Sequence, residues 1–126
     1  MRYGEIRSTA NIGQVVDFSG LRFGTILPTD VDAFIDFQNK LFIDIEAKYG
    51  DAEMPLGQRL ALERRCDASR VPATVLVVRH NTPPGTPIDL ANARAVAYYW
   101  RGQWVQITRR ATCREFVEAM RRKFVG

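Results

Sequence analysis

The sequence predicts an α/β or α+β domain in which helices flank a mixed central sheet. Three observations predict it: an apolar hairpin pattern over residues 30–48, a β-branched run over residues 71–80, and two helical segments on either side of that run. The 126 residues suffice for one domain with a buried core. We therefore interpret the whole chain as a single domain, with the polar residues 1–13 as a mobile start.

Two strands are predicted around a short loop at residues 38–40. In residues 30–37 and 41–48 every odd position is apolar, whereas the even positions carry nearly all of the charge. Because side chains alternate between the two faces of a strand, the odd face is expected to be core. Upstream, residues 14–30 mix short apolar runs with two glycines and a proline, and a first short helix or strand fits there without a firm position.

A helix is predicted next, because Pro55 suits a first helical turn and the residues that follow it favour a helix to about residue 68. The run VPATVLVVRH then indicates a buried strand. A loop with three prolines and one glycine follows. After it, RAVAYYWRGQWVQI predicts a hairpin that turns at Arg101-Gly102.

The chain is predicted to close with an amphipathic helix. Thr112 and Glu115 have the spacing of a capping box, which begins a helix by pairing each side chain with the other residue's backbone N–H. An apolar stripe follows at helical spacing: Phe116, Val117, Met120 and Phe124. The expected order is strand, strand, helix, strand, strand, strand, helix.

The register of the first hairpin brings acidic side chains together. A loop at residues 38–40, continued along both strands, places Asp32 opposite Glu46 and Asp30 opposite Lys48. Opposed Cβ atoms lie about 4.5–5.5 Å apart, and two carboxylates that close repel strongly when both are ionised. A divalent cation between them removes the repulsion, and oxygen ligands of this kind favour Mg²⁺ or Mn²⁺ over zinc.

Such a cation can polarise a phosphoryl oxygen and lower the pKa of bound water. Lys48 beside it can orient or deprotonate that water, or stabilise charge that develops on phosphate. The hairpin therefore predicts a site for phosphodiester hydrolysis. The same alternation is also typical of a half-exposed hairpin, and Asp36 and Asp44 are interpreted as solvated surface in that case.

These residues resemble the PD-(D/E)XK nuclease superfamily, which contains restriction endonucleases, archaeal Holliday-junction resolvases and many small phage nucleases. Asp32 is followed, after thirteen residues, by Glu46-Ala47-Lys48, which closes the aliphatic strand LFIDIEAK. The superfamily core has an acidic residue at the start of one strand, a (D/E)-x-K signature on the next, antiparallel strand, and then a helix and further strands. The resemblance covers residues 28 to about 80 and implies a restriction-endonuclease-like fold.

Carried over residue by residue, the resemblance implies that Asp32 and Glu46 are ligands of Mg²⁺ or Mn²⁺. It implies that the carbonyl of Ala47 is an additional ligand, and that Lys48 is the catalytic lysine. The expected activity is a divalent-metal-dependent (endo)deoxyribonuclease that hydrolyses DNA phosphodiester bonds by attack of water. Compact chains of this kind look like phage or prophage proteins, and a homodimer is expected because so small a core covers little substrate.

Two further residues match parts of the pattern. Asp30 resembles the acidic residue that some relatives carry two positions before the motif aspartate, where it tunes the site or holds Lys48 in the absence of metal. Gln58 resembles a helical glutamine that contacts the site in several branches; an exposed helix residue is the equal alternative. The chain departs from the family in its proline, because Pro28 stands well before Asp32 instead of adjoining the motif aspartate.

Composition is compatible with a nucleic-acid partner. The net charge is +4, the pI is near 9.4, and 15 of the 18 basic residues are arginine, which contacts phosphate in a bidentate manner. Clusters of basic residues on the middle and last helices are either phosphate contacts or solvated faces. The aromatic run YYWRGQW is either a base-stacking surface or, more in keeping with strand aromatics, core packing.

The sequence offers little support for a histidine-dependent mechanism, a disulfide framework or a membrane segment. His80 is the only histidine, which excludes mechanisms that need two. Cys66 and Cys113 are interpreted as reduced, partly buried thiols. No apolar run approaches the roughly 20 residues of a membrane helix, and the first residues lack the apolar centre of a signal peptide. A cytoplasmic protein without membrane contact is therefore expected.

Two rival interpretations stay open. One is a catalytically inactive nucleic-acid-binding or assembly module of the same fold. The other is an unrelated α+β protein-interaction domain whose acidic hairpin is only surface. Metal-dependent stability distinguishes them from a nuclease, since a cation that binds the folded protein stabilises it.

Overall fold

A computed structural model describes residue 17 and residues 19–126. Within them, five strands form one mixed sheet in the order β1-β2-β3-β4-β5. The strands are β1 (Ala33–Asp36), β2 (Phe42–Tyr49), β3 (Ala73–His80), β4 (Arg94–Trp100) and β5 (Gln103–Gln106). The α-helices are α1 (Leu56–Asp67) and α2 (Cys113–Phe124), and 3-10 turns lie at Ser19–Leu21 and Leu90–Asn92. The fold is therefore α+β with the predicted element order; the predicted mobile start at residues 1–13 lies outside the described residues.

The first hairpin has the predicted register. β1 and β2 pair antiparallel from Ala33 opposite Ile45 to Asp36 opposite Phe42. β1 begins at Ala33, three residues later than predicted, so Asp32 directly precedes the strand instead of belonging to it. The two acidic residues ahead of β1 therefore lie outside the ladder: Asp32 contacts β2 and Asp30 contacts α1.

The middle of the sheet is a β2-α1-β3 crossover. β2 and β3 pair in parallel along their whole lengths, from Phe42 beside Ala73 to Tyr49 beside His80. Parallel neighbours need a crossover connection, and α1 provides it. β4 and β5 then continue the sheet antiparallel around the predicted turn at Arg101-Gly102, where φ is 49° and 83°.

One face of the sheet packs against α2. The odd-numbered side chains of the hairpin enter this cluster, and Leu41 and Ile43 are fully buried in it. The predicted apolar stripe of α2 covers them: Phe116, Val117, Met120 and Phe124. The predicted capping box begins the helix, because Thr112 Oγ1 accepts from the Glu115 N–H at 3.1 Å and Glu115 Oε1 accepts from the Thr112 N–H at 2.9 Å.

The opposite face packs against α1. Leu62, Val75 and Tyr99 form a second buried cluster there. Both faces of β2 are therefore covered, and the interpretation of Asp44 as solvated surface is wrong: it is only 6% exposed. Asp44 Oδ1 lies 3.1 Å from Nη2 of Arg65 on α1, which offsets the cost of burying the carboxylate.

The aromatic hairpin packs on both helices, as the core interpretation of YYWRGQW predicts. On the α2 face, the ring centroids of Tyr98 and Phe116 lie 5.1 Å apart. On the α1 face, Tyr99 lies 5.4 Å from Trp104 and donates to the carboxylate of Asp67 at 2.9 Å. No helix in the described part of the chain has the length and apolarity that spanning a bilayer requires.

Candidate acidic site under helix α1

The candidate site lies on the even face of β2, beneath α1. Glu46 and Lys48 stand two residues apart and therefore point to the same face. Glu46 Oε1 lies 3.1 Å from Lys48 Nζ, and the two side chains are only 6% and 16% exposed. A pair this poorly hydrated interacts more strongly than a surface ion pair, because little water screens it.

A hydrogen-bonded chain ties this pair to the elements around it. Lys48 Nζ donates to Gln58 Oε1 at 3.0 Å, and Gln58 Nε2 donates to the backbone carbonyl of Asp30 at 3.1 Å. Gln58 stands in the first turn of α1, which begins at Leu56. Gln58 is therefore a half-buried residue that joins Lys48 to the segment ahead of β1.

Asp32 reaches the site from the residue just ahead of β1. Its Oδ2 accepts a hydrogen bond of 2.7 Å from the backbone N–H of Ala47. The N–H and C=O of one strand residue point to the same side of the strand, so the Ala47 carbonyl also points towards Asp32. Ala47 lies two residues beyond Ile45, the last β2 residue that pairs with β1.

The surroundings of Glu46 disfavour its charged form on balance. Burial raises the pKa of Glu46, and the nearby charge of Asp32 raises it further, while Lys48 and Gln58 partly offset both. Oε2 of Glu46 is buried and has no hydrogen-bond partner among the described residues. A buried, unsatisfied carboxylate oxygen is costly and calls for an explanation.

The oxygen atoms around Glu46 are of the types that a magnesium-type cation takes as ligands. Two carboxylates, from Asp32 and Glu46, and the Ala47 carbonyl are oxygen ligands, and Mg²⁺ is usually held in proteins by one or two carboxylates with water completing the shell. The unsatisfied Oε2 is the specific atom that a cation would satisfy. Across residue 17 and residues 19–126, no cluster of three or more His, Cys, Asp or Glu side chains is placed to hold a metal.

Contacts in the structure join Asp32 to Ala47, Glu46 to Lys48, and Lys48 to Gln58. Asp30 differs from its expectation, because it contributes its backbone carbonyl and not a side chain opposite Lys48. That difference follows from the late start of β1 at Ala33, which leaves Asp30 outside the ladder.

Sequence reasoning missed Arg79. This residue lies beside Lys48 in the parallel ladder, and its Nη1 donates to the carbonyls of Gly50 at 2.8 Å and Ala52 at 2.7 Å. It thereby fixes the loop that joins Lys48 to α1. A lone arginine near the end of a β-branched strand, in VVRH, was the signal that could have found it.

Each member of the Lys48–Gln58 hydrogen bond lines a different cavity. Gln58 lines one of about 470 Å³, together with Asp30 and Arg64. Lys48 lines one of about 240 Å³, together with Arg59, Arg79 and Trp104. Both are open clefts beside the Glu46–Lys48 ion pair.

The basic residues divide between the two faces of the sheet. Those of α1 share a face with Glu46. Those of α2 lie on the opposite face: Arg114, Arg121, Arg122 and Lys123. A phosphate contact made by α2 would therefore be remote from the acidic site.

Comparisons with protein-family models, with curated proteins and with solved structures found no match for this chain.

Proposed function

We propose that the protein is a metal-dependent nuclease that hydrolyses DNA phosphodiester bonds, with a restriction-endonuclease-like core of the PD-(D/E)XK type. The observation that carries the proposal is the unsatisfied, buried Oε2 of Glu46, next to Lys48 and near Asp32. The order of elements adds support. The resemblance rests on an acidic residue next to one strand and an E-x-K sequence on the antiparallel neighbour, followed by a helix and further strands. Here Asp32 directly precedes β1, and Glu46 and Lys48 lie on β2.

Asp32, Glu46 and the Ala47 carbonyl would hold the cation, Mg²⁺ or Mn²⁺. When bound, the cation supplies Lewis acidity to a phosphoryl oxygen and lowers the pKa of an attacking water. Attack of that water on phosphorus would break the bond to one sugar oxygen, with one proton released from the water to solvent and one taken up by the departing oxygen. The negative charge that develops on the phosphoryl oxygens must be stabilised.

Lys48 is suited to that second task. An ammonium group has three donors, and two of them are directed to Glu46 and Gln58 at 3.1 Å and 3.0 Å. The third has no acceptor among the described residues and can donate to a phosphoryl oxygen. Gln58 holds the ammonium in place, since its amide is itself fixed by the Asp30 carbonyl.

The test is incubation of supercoiled plasmid, linear duplex and branched DNA with Mg²⁺ or Mn²⁺, followed by electrophoresis. Wild-type protein is expected to cut at least one of these substrates. Lys48→Ala and Glu46→Gln are expected to abolish cutting, with circular dichroism showing that each variant is folded. Matched controls are Lys40→Ala and Asp36→Asn, which alter an exposed lysine and an exposed carboxylate of the same hairpin.

Cutting that persists in Lys48→Ala would remove the proposed mechanism. Binding of DNA by the wild type without any cutting would instead favour the inactive nucleic-acid-binding module. The homodimer expected from the small core belongs to the same proposal, and sedimentation velocity with and without DNA tests it.

A further inference from the structure

The smaller cavity beside Lys48 has the composition of an anion site. It measures about 240 Å³ and is lined by three cationic side chains: Lys48, Arg59 and Arg79. Met54, Trp104 and Gln106 also line this cavity. Because Lys48 belongs to both the acidic site and this cavity, a ligand in the cavity would lie directly next to the reacting phosphate.

The guanidinium groups keep donors for a ligand. Arg59 uses only its Nε, which lies 3.4 Å from Oε2 of Glu63, and both of its Nη atoms have no acceptor in the described part of the chain. Arg79 uses only Nη1, for the carbonyls of Gly50 and Ala52. A guanidinium carries five N–H donors in a planar fork that matches a phosphate.

The charge around the cavity is positive. Two carboxylates oppose the three cations: Glu46 pairs with Lys48, and Glu63 is held by Arg59 and by Trp104 Nε1 at 2.6 Å. Arg79 has only neutral carbonyls as partners among the residues described. The larger cavity differs, because its lining contains one cation, Arg64, and one carboxylate, Asp30.

We propose that this cavity binds a second phosphate of the substrate backbone, adjacent to the phosphate that is cleaved, through Arg59 and Arg79. The inference rests on the proposed nuclease function and specifies its substrate class: an oligonucleotide with at least two consecutive phosphates, in preference to an isolated phosphodiester. Arg59 is the residue to test, since Arg79 also positions the loop before α1.

The experiment compares two substrates in Arg59→Ala. One is a fluorescein-labelled oligonucleotide of twelve nucleotides, single-stranded or duplex; the other is bis(p-nitrophenyl) phosphate, which has one phosphate only. The variant is expected to lose about 10-fold in kcat/KM on the oligonucleotide relative to its loss on the single diester. Arg114→Ala is the matched control, because Arg114 makes the same i,i+4 contact with Glu118 on the opposite face of the sheet.

A second arm measures binding without cleavage, by fluorescence anisotropy in EDTA. Arg59→Ala is expected to weaken oligonucleotide binding and to reduce the slope of log Kd against log salt by about 1, the signature of one lost phosphate contact. Arg114→Ala should keep the wild-type slope. If the wild type does not hydrolyse the single diester, the salt dependence of binding alone decides whether Arg59 contacts a phosphate.

The outcomes separate the two proposals. Equal losses on both substrates, or an unchanged salt slope, would overturn the phosphate site and leave the nuclease in place. A wild type that cleaves neither substrate would overturn the nuclease, while an Arg59-dependent salt slope would still support the phosphate site. Absence of oligonucleotide binding by the wild type would overturn the phosphate site.

Discussion

At the scale of single residues, the molecule keeps polar groups inside the sheet only where a partner or a ligand accounts for them. Asp44 has Arg65, and Thr74 donates to the Tyr99 carbonyl at 2.8 Å. Glu46 is the exception, because one of its oxygens has no partner in the described region. A residue that breaks an otherwise general rule is a candidate for function, since an unsatisfied buried oxygen calls for an explanation.

The two thiols are expected to react slowly in the folded protein. Burial raises the pKa of Cys113 from the usual 9.0 to about 11, and burial with the charges of Asp67 and Asp44 does the same for Cys66. Because the thiolate is the nucleophile, a rise of two units lowers the reactive fraction about 100-fold at pH 8. The measurement is the rate of reaction with Ellman's reagent, with and without denaturant. A native rate equal to the unfolded rate would contradict the burial of both groups.

At the scale of elements, helix α1 covers the even face of β2 and thereby determines which of its polar side chains are buried. The helix has one fully buried apolar residue, Leu62, and otherwise holds the sheet through polar contacts. Those contacts are Gln58 with Lys48, Arg65 with Asp44, Glu63 with Trp104, and Asp67 with Tyr99. Helix α1 is therefore anchored by the buried side chain of Leu62, and its hydrogen bonds to the sheet surround the Glu46–Lys48 ion pair.

Leu62→Ala is expected to destabilise the protein by about 2–5 kcal/mol, because it removes the one buried side chain of α1 and leaves a cavity. Chemical denaturation followed by circular dichroism measures the change. Leu56→Ala in the same helix is the control, since Leu56 is 61% exposed and its truncation should cost little. Equal effects of the two substitutions would mean that α1 does not anchor through Leu62.

The register of the hairpin could be predicted from the sequence, whereas the packing of α1 against its charged face could not. Loop length and strict alternation fixed the pairs from Ala33–Ile45 to Asp36–Phe42 without any tertiary information. The cover depends on α1, whose arginines and scattered leucines define no clear apolar stripe that would face the sheet. Asp44 was therefore mistaken for surface.

The start of β1 was also beyond prediction, because nothing local marks it. Asp30 and Asp32 continue the alternation of the strand, yet pairing begins at Ala33. Asp32 instead caps the open side of β2 by accepting from the Ala47 N–H, and Asp30 accepts from Gln58. Both contacts join parts of the chain that are far apart in sequence, which a pattern read along one segment does not reveal.

At the scale of the whole molecule, the acidic site lies between two layers, with α1 above it and the rest of the sheet beside it. A cation at this position would join β2 to the segment that precedes β1, so its binding should stabilise the folded state. We expect Mn²⁺ at 100 times its Kd to add about 2.7 kcal/mol, since a ligand that binds only the folded state contributes RT ln(1 + [L]/Kd). For a domain of this size the melting temperature should rise by several degrees.

Differential scanning fluorimetry in EDTA and in Mn²⁺ measures this shift. Glu46→Gln should abolish it, because the substitution removes a charged ligand, while Asp36→Asn should retain it. A shift of equal size in Glu46→Gln would show that Mn²⁺ stabilises the protein at some other place.

Alkaline pH is expected to destabilise the whole fold, because the Tyr99 phenol and the two thiols lose their protons at a higher pH than usual. Burial, together with the hydrogen bond to Asp67, raises the pKa of Tyr99 from 10.0 to about 12, and Cys66 and Cys113 rise from 9.0 to about 11. The folded state holds these protons more tightly than the unfolded chain does. Stability from these groups is therefore fully present below pH 9 and is lost as the pH rises towards 12.

Urea denaturation between pH 8 and pH 11.5 tests the direction of this change. The free energy of unfolding should fall steadily above pH 9, and the fall above pH 10 should be smaller in Tyr99→Phe, which has no phenol to ionise. Tyr49→Phe, at a tyrosine that is 56% exposed, is the matched control and should follow the wild type. A free energy of unfolding that stays constant up to pH 11.5 would mean that the thiols and the Tyr99 phenol are not held protonated by the packing between α1, the sheet and α2.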